Sequence, residues 1–470
     1  MSSGDRCVLP SGPWAWRSDV ASAAWPPVLG GTAATLMAMQ HALSLAECGG
    51  ADALRAGQRQ QRGALLDWMM RRVPVMRSRA SGVGLDPDAA RWADDATFQR
   101  LPVLTRADLQ EHGTALDPWE RPQGHGDLDE VRSSGSTGRP VAVRRTALTR
   151  LWWEALTLRE HLWHRRCVSG RLAVLRAVAD GVADPPKGKD FGGWGVPLAR
   201  VMHTGTSHMM SARASIDVVA AWIQRLEPHD LLLYPSALRG LLDHWSTHGG
   251  APQLRSLRTY GEVMPPSLAE RAHAQLGVGV SDTYSSQECG VLAFQCPEEG
   301  AYHVASAGVE LEILRDDGSP CEVSEVGRVV VTTLQNFATA LIRYDIGDYA
   351  SFGPPCACGR PQPVLEQILG RQRNLLTLPD GRQVWPLFAD FRFHEVAAVR
   401  QWQVARVEEH ALELRLVLDA PLSDAQGAAL GEILTDRLGW PFEVRCVRVE
   451  AIPRGVNGKH EDYVDRRERR

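Results

Sequence analysis

Apolar side chains recur along the middle of the chain with two alternating periods. Short continuous apolar runs at residues 172–175, 231–234 and 329–333 are typical of buried strands. Residues 216–226 and 267–276 lie between these runs and place apolar side chains at helical spacing. Strands that alternate with helices predict an α/β fold in which helices cover a sheet.

The N-terminal part of the chain predicts further helices. Residues 28–46 are apolar but interrupted by glycines and polar side chains, which favours a buried helix over a membrane-spanning one. Residues 53–77 also carry apolar side chains at helical spacing. Thr105 stands where it would cap a short helix, with Asp108 at the capping-box position.

The C-terminal part of the chain predicts a smaller unit of its own. Residues 411–418 and 442–449 are strand-like, and residues 423–438 between them are helical in pattern. We therefore expect an N-terminal extension, a large multi-layer α/β domain and a small α+β lid domain, at residues 1–55, 56–370 and 371–470.

The composition and the charge exclude several classes of protein. The chain has 470 residues, of which 44% are apolar and 23% charged, values normal for a globular protein with a sizeable core. The formal net charge of −4 offers no global basic field for nucleic acid. No uncharged apolar run reaches the length of about 18 residues that spans a bilayer, and no basic-then-apolar signal pattern opens the chain. Nine cysteines at scattered spacings do not suit a secreted disulfide framework, so we expect a cytoplasmic protein without a membrane or nucleic-acid partner.

Lysine is rare in this chain. Lys and Arg total 52, yet Lys187, Lys189 and Lys459 are the only lysines. Because arginine serves almost everywhere as the cation, a lysine that remains is more informative than usual.

The sharpest local motif is rich in serine and glycine. Glycines and small residues let backbone N–H groups turn inward around phosphate oxygens, while hydroxyls and a cation supply further donors. The run consists of Ser133, Ser134, Gly135, Ser136, Thr137, Gly138 and Arg139. It does not fit the Walker A pattern, and taken alone it also suits a flexible surface loop.

Two weaker motifs are suited to a nucleotide. The run Tyr284-Ser285-Ser286-Gln287-Glu288 offers an aromatic ring for a purine, hydroxyls for phosphate and a carboxylate for Mg²⁺. Asp348, placed beside a glycine at the expected end of a strand, is suited to binding the two hydroxyls of a ribose. Each motif alone also suits an ordinary strand and turn.

Two further motifs lie towards the C-terminus. Gly370-Arg371 falls at the expected domain boundary, where a polar loop between domains is the simpler interpretation. Lys459 ends a turn that begins at Pro453. A solvated surface lysine near a basic tail is the simpler interpretation there.

Together and in this order, the five motifs resemble those of the adenylate-forming superfamily of acyl-CoA synthetases, adenylation domains and luciferases, over roughly residues 60–465. Finer features resemble the phenylacetate–CoA ligase branch and its capsule-biosynthesis relatives. These are the Leu-Pro-Val-Leu-Thr-Arg-Ala-Asp-Leu stretch at residues 101–109, Gly261-Glu262 and the Cys356-Ala357-Cys358-Gly359-Arg360 run. The resemblance implies that the large domain binds ATP and a carboxylic acid, joins the acid to AMP and releases pyrophosphate.

The resemblance also implies a role for each motif. The phosphate loop at residues 133–139 would grip the ATP phosphates. The rest of the nucleotide would be contacted by Glu262, Tyr284, Ser285, Ser286, Asp348 and Arg371, the last of these at the hinge. Glu288 would bind Mg²⁺, while Arg139 and Lys459 would stabilise the charge that develops as the adenylate forms. Tyr234, Pro235 and Gly261 would line the pocket for the acid, most commonly an aryl acid in this family.

Departures from the family pattern leave the acceptor of the acyl group open. The phosphate loop ends in Arg139 where the family usually has lysine, and Ser285, Ser286 and Gln287 stand where glycine and threonine are usual. The hinge usually continues with two aspartates, and here it reads Gln372-Arg373-Asn374. The acceptor is therefore CoA in the first interpretation and an amine or a carrier protein in the second. In a third interpretation the chain binds nucleotide without catalysis, against which the intact Asn457-Gly458-Lys459 argues.

Three cysteines and one histidine form a candidate structural zinc site. The donor set of a closed tetrahedral centre is supplied by Cys296, His303, Cys356 and Cys358. The resemblance implies the same site, because some members of this branch are similar in carrying such a zinc centre. The alternative is that the cysteines are small buried apolar residues without a metal.

Overall fold

The computed structural model describes residues 16–21, 23, 26–132, 140–371, 375–386, 393–452 and 461–467. The chain forms two compact units, each discontinuous in sequence. Unit 1 comprises Met1–Ser169, Gly193–Gly205 and Ser281–Ile368, and unit 2 comprises Gly170–Gly192, Thr206–Val280 and Leu369–Arg470. The division into parts at residues 1–55, 56–370 and 371–470 stays a prediction.

Helices occur in both units of the described chain. They are α1 (Gly31–Cys48), α2 (Gly50–Arg72), α3 (Pro74–Gly82), α4 (Asp95–Gln99), α5 (Arg106–His112), α6 (Ala147–Trp163), α7 (Leu198–Val201), α8 (Ile216–Leu226), α9 (Pro235–His248), α10 (Pro266–Leu276) and α11 (Asp424–Leu438), with short 3-10 turns at Gly113–Leu116 and Phe393–Glu395. Across the described ranges, none of these helices combines the length and the apolar character needed to cross a bilayer.

The strands are as follows in chain order. They are β1 (Leu128–Arg132), β2 (Ala142–Thr146), β3 (Leu172–Arg176), β4 (Lys189–Phe191), β5 (Ser207–Ser211), β6 (Asp230–Leu233), β7 (Ser256–Tyr260), β8 (Val280–Ser286), β9 (Gly290–Gln295), β10 (Tyr302–Val304), β11 (Val309–Leu314), β12 (Val326–Thr333), β13 (Tyr344–Phe352), β14 (Val364–Arg371), β15 (Leu376–Thr377), β16 (Gln383–Val384), β17 (Val399–Arg406), β18 (Ala411–Leu418), β19 (Glu443–Arg448) and β20 (Tyr463–Asp465).

Unit 1 is built on antiparallel strands. Their order is β11-β12-β13-β14-β10-β9-β8, and β1 pairs with β2 in a separate ribbon. The core of this unit buries apolar side chains of α2 and α3, among them Leu65, Met69 and Met76. The helix predicted over residues 53–77 is divided between α2 and α3, because Pro74 has no N–H to continue the first helix and instead begins the second one.

Unit 2 contains a parallel sheet covered by helices. The strands run in the order β7-β6-β3-β5-β4, and β4 joins the edge in the antiparallel direction. Helices α8, α9 and α10 bury apolar faces in the core of this unit. The predicted α/β class is confirmed, and the apolar runs at residues 172–175 and 231–234 fall on β3 and β6.

A second sheet of unit 2 is formed by the C-terminal residues. Strands β17 and β18 pair antiparallel, while β20 and β19 add parallel strands at the two edges. Helix α11 begins after Ser423, whose hydroxyl accepts a hydrogen bond from the Gln426 N–H while the Gln426 side chain accepts from the Ser423 N–H. This capping box and the buried side chains of α11 fix the helix against β18 and its neighbours.

Candidate functional site

The tyrosine motif of unit 1 lies on a β-hairpin. Tyr284, Ser285 and Ser286 are the last residues of β8, and Glu288 lies in the turn before β9. The Ser286 hydroxyl accepts a hydrogen bond of 3.0 Å from the Cys289 N–H, which closes the turn. Gly290 has φ +81° and a Cβ there would overlap the ring of Trp153, so the hairpin requires glycine at this position.

Tyr284 and Asp348 meet through a hydrogen bond. The Tyr284 hydroxyl donates to Asp348 Oδ2 at 2.8 Å, and the two residues are 9% and 8% exposed. Asp348 lies inside β13 and not at a strand end as the sequence suggested. The pairing of β12 with β13 is interrupted next to it, where Gly347 has φ +77°, and such a bulge redirects a side chain. The structure therefore joins two residues that the sequence assigned to the nucleotide separately.

Glu288 contacts an arginine that the sequence did not single out. Arg106, the first residue of α5, places Nη1 3.4 Å from Glu288 Oε1, and the Glu288 side chain is 6% exposed. Thr105 caps this helix with the predicted box, because its hydroxyl accepts from the Asp108 N–H and the Asp108 carboxylate accepts from the Thr105 N–H. This long contact involves only one oxygen of Glu288, so most of the lone pairs of the carboxylate can still bind a further cation. The chemistry of Glu288 therefore fits a ligand of Mg²⁺.

The three residues predicted for the acid pocket, and Glu262, which was predicted for the nucleotide, lie in unit 2 at the carboxyl ends of parallel strands. Tyr234 and Pro235 follow β6 and begin α9, while Gly261 and Glu262 follow β7. Ligands of open α/β sheets bind at such strand ends. Tyr234, Pro235, Gly261 and Glu262 therefore all lie at this edge of the parallel sheet.

Hydrogen bonds and ring contacts shape this edge of unit 2. The ring centroids of Tyr234 and Tyr260 are 4.7 Å apart. Burial, together with the neighbouring Tyr234, raises the pKa of Tyr260 far above its ordinary value, so this phenol stays neutral. Glu262 accepts hydrogen bonds from the Ser236 N–H at 2.8 Å and from the Ser236 hydroxyl at 3.1 Å. Glu262 is thereby held at the N-terminal turn of α9.

The four predicted metal ligands form one cluster in unit 1. The donor atoms of Cys296, His303, Cys356 and Cys358 all lie within 4.8 Å of one another. The Sγ atoms of Cys296 and Cys356 are 4.0 Å apart, and Cys358 Sγ lies 3.3 Å from His303 Nε2. The edges of a zinc tetrahedron with usual bond lengths are about 3.8 Å between two sulfurs and about 3.6 Å between sulfur and nitrogen. The cluster therefore fits zinc in donor chemistry and in size.

The surroundings of the cluster favour a thiolate on one cysteine. Burial raises the pKa of Cys356 to about 11, with further contributions from the neighbouring thiols. Burial also acts to raise the pKa of Cys358, but hydrogen bonds from Arg360 outweigh it and the pKa is lowered. Burial and the Arg360 charge lower the pKa of His303, so its imidazole stays neutral, as a metal ligand requires. Trp163 packs edge-on against His303 at 5.7 Å between ring centroids.

Some predicted site residues lie outside the described ranges. These are Ser133, Ser134, Gly135, Ser136, Thr137, Gly138, Arg139 and Lys459. Arg371 is described and is the last residue of β14. Arg106 and Arg360 are the residues that sequence reasoning missed. Both stand within motifs that resembled the family, but no local pattern indicates that their partners are Glu288 and Cys358.

Comparison with known proteins agrees with these motifs. Residues 133–339 match the family model described as AMP-binding enzyme. The chain is 26% identical over 345 residues to phenylacetate-coenzyme A ligase of Thermus thermophilus, with 71% of this chain and 73% of that protein covered. It is also 26% identical over 353 residues to phenylacetate-coenzyme A ligase of Escherichia coli, with 72% and 76% covered. The crystal structure of 2-hydroxyisobutyryl-CoA ligase in the postadenylation state in complex with R3-HIB-AMP superimposes with a TM-score of 0.67 at 17% identity, over 88% of this chain and 89% of that one.

The solved structure agrees with the α/β fold, and residues 133–339 match an AMP-binding enzyme family. This match and the similarity to two phenylacetate-coenzyme A ligases support an adenylate-forming, phenylacetate–CoA ligase-like enzyme of the acid–thiol ligase type.

Proposed function

We propose that the protein uses ATP to activate a carboxylic acid and then passes the acyl group to the thiol of CoA. In the first step a carboxylate oxygen attacks the α-phosphorus of ATP, an acyl-adenylate forms and pyrophosphate leaves. In the second step the thiol sulfur attacks the acyl carbon, its proton is lost to solvent and AMP leaves. The hydrogen bond between Tyr284 and Asp348 supports this proposal most, because it joins two separate nucleotide motifs in one buried pair.

Each side chain has a proposed part in the first step. Asp348 would accept hydrogen bonds from the ribose hydroxyls, and Tyr284 would stack on the adenine. The run at residues 133–139 would bind the phosphates, and Glu288 would hold the Mg²⁺ that accompanies them. Lys459 would neutralise the charge that develops between the carboxylate and the α-phosphate. Because a carboxylate is a poor electrophile, these groups act by positioning and by charge neutralisation.

We infer that the acid is an aryl acid. The Tyr234–Tyr260 pair offers aromatic surface next to Pro235 and Gly261 at the carboxyl ends of β6 and β7. Aromatic rings pack favourably against one another in offset or edge arrangements, which an aryl substrate can use. The two relatives named as phenylacetate-coenzyme A ligases support the same substrate class.

An amine or a carrier protein is the competing proposal for the acceptor of the acyl group, because of one feature of the sequence. Where the family has two aspartates after Gly-Arg, this chain reads Gln372-Arg373-Asn374. A changed hinge favours an enzyme that makes the adenylate normally but hands the acyl group to an amine or a carrier protein.

We also propose that Cys296, His303, Cys356 and Cys358 hold a structural zinc ion. The donor set is complete and leaves no position for a substrate, which is the usual distinction between structural and catalytic zinc. When bound, the ion would tie the segment after β13 to the β9–β10 hairpin of unit 1.

An acid panel tests the proposed function. Pyrophosphate release is measured with ATP, Mg²⁺ and each of a set of aryl and aliphatic acids, with and without CoA. We expect release that depends on an aryl acid, and AMP and thioester formation only when CoA is present. Acid-dependent release that an amine or carrier protein, but not CoA, carries to completion would favour the second acceptor. No acid-dependent release would contradict catalysis altogether.

A further inference from the structure

One arginine lies against the proposed zinc ligands of unit 1. Nη1 of Arg360 lies 3.8 Å from Cys296 Sγ, and the backbone N–H of the same residue donates to Cys358 Sγ at 3.5 Å. The Arg360 side chain is 20% exposed. Two of the three thiols therefore face an N–H donor of this residue, and the charge of its guanidinium reaches the cluster.

A tight turn places this arginine next to the ligands. The Gly359 N–H donates to the Cys356 carbonyl at 3.2 Å, which closes the turn that carries Cys356 and Cys358. Arg360 is the next residue, and its N–H points back to Cys358 Sγ. The segment that supplies two of the ligands therefore also fixes where the Arg360 side chain begins.

Partners other than the thiols hold the guanidinium over the cluster. Nη1 of Arg360 donates to Glu298 Oε1 at 3.1 Å, and the guanidinium carbon lies 4.9 Å from the centroid of the Trp163 ring. The same ring packs edge-on against His303. The Glu298 side chain is 56% exposed, so water screens its charge more than it screens charge on the buried ligands. Glu298 therefore positions the guanidinium without cancelling its effect on the sulfur atoms.

The charge of the cluster gives this contact its significance. Zinc held by three thiolates and a neutral imidazole leaves one net negative charge. Cys296 and His303 are 3% and 0% exposed, and a charge without a partner is costly where water is scarce. The guanidinium of Arg360 supplies the opposite charge beside the sulfur atoms that carry it.

We propose that Arg360 determines how tightly this cluster binds zinc, because it offsets the negative charge of the thiolates. The inference rests on the proposed zinc site and is independent of the acid and of the acceptor. A merely structural role would consist of packing against Trp163 and pairing with Glu298. That role would affect stability without changing how firmly the sulfur atoms hold their electrons.

The zinc affinity of full-length variants, measured at fixed pH by competition with a chelator, tests this role. Arg360→Met keeps the apolar stem and removes the charge, and Arg360→Gln serves if the methionine variant does not fold. Arg360→Lys keeps the charge without the guanidinium. Arg159→Met is the matched control, because the guanidinium carbon of Arg159 lies 6.0 Å from the centroid of the same Trp163 ring while its hydrogen bonds go to Glu47 and Ser44.

Cobalt in place of zinc supplies a second measurement. Co²⁺ accepts the same tetrahedral donors and, unlike zinc, absorbs light through charge transfer from thiolate to metal. A positive charge beside a sulfur atom holds its electrons more tightly, so the loss of this charge in Arg360→Met should shift the absorption to longer wavelength. A residue that only packs against Trp163 would not shift it.

We expect zinc to bind roughly 10- to 100-fold more weakly in Arg360→Met, the scale at which partners of metal ligands affect metal affinity. Arg360→Lys should lie between Arg360→Met and the wild type, and the Arg159→Met control should bind zinc as the wild type does. Unchanged affinity in Arg360→Met, or an equal loss in the control without a spectral shift in either, would overturn the role of Arg360 and leave the zinc site standing. A wild type that binds neither metal would overturn the zinc site and this inference with it.

Discussion

Replacing Asp348 by asparagine tests the ribose assignment with the least change in shape. Asp348 is 8% exposed and accepts a hydrogen bond of 2.8 Å from the Tyr284 hydroxyl. Asparagine keeps the volume and one oxygen, so it can still accept from Tyr284. It loses the charge and one of the two acceptor oxygens that the ribose hydroxyls would use.

The expected loss of ATP-binding free energy follows from these two losses. One hydrogen bond to a charged group disappears, at about 1.5–3 kcal/mol, and the other becomes a neutral bond that is weaker by about 1 kcal/mol. The sum of about 2–4 kcal/mol corresponds to a Kd for ATP that rises roughly 30- to 1,000-fold. Tyr284→Phe keeps the ring and removes only the hydroxyl, so its effect on ATP binding should be about 1 kcal/mol or less.

Titration calorimetry with ATP and Mg²⁺ measures these affinities, and thermal unfolding verifies that each variant is folded. Asp345→Asn is the matched control, because Asp345 lies in the same strand and pairs with Arg328 at 3.0 Å but has no proposed contact with nucleotide. We expect the control to bind ATP as the wild type does. A folded Asp348→Asn protein with unchanged ATP affinity would refute the ribose assignment.

Three further variants address other parts of the molecule. Purified protein should contain about one zinc per chain, and Cys358→Ser should lower both zinc content and stability; protein prepared without chelator that contains no zinc by elemental analysis would reject the site. Burial raises the pKa of Glu310 from its ordinary 4.5 to about 7 despite the nearby Arg62, so the stability that its proton confers is complete below pH 4.5 and is lost as the pH rises through 7. Glu310→Gln should therefore gain up to about 3 kcal/mol over the wild type in urea unfolding between pH 5 and pH 8. Glu325→Gln should show no such gain, because the hydrogen bond from Arg315 lowers the pKa of the half-buried Glu325; a difference that is flat with pH would contradict this. Lys459→Ala should slow pyrophosphate release by roughly 10²–10³ with unchanged ATP affinity, and release at the wild-type rate would remove Lys459 from the reaction.

Local patterns predicted the elements of the fold well. The helices α8 and α11 and the strand β18 fall on the predicted segments, because their apolar periods and capping residues are encoded within a few neighbouring positions. The capping box of Thr105 and Asp108 has the same origin. Pro74 is a local signal too, and it explains why one predicted helix became two.

Contacts between distant positions could not be predicted in this way. Tyr284 and Asp348 are 64 residues apart, Arg106 and Glu288 are 182 apart, and Arg239 and Asp462 are 223 apart. Such pairs depend on strand register, on a bulge or on helix packing, none of which leaves a periodic trace in one sequence. The metal cluster is different, because cysteine and histidine are rare enough that their grouping was visible before their geometry.

The proposed first half-reaction joins a carboxylic acid to AMP. Mass spectrometry of a single-turnover reaction with enzyme, ATP, Mg²⁺ and an aryl acid measures this product directly. We expect an acyl-adenylate of the expected mass, together with pyrophosphate, and its conversion to AMP and a thioester when CoA is added. ADP and phosphate as products, or no product that depends on the acid, would contradict it.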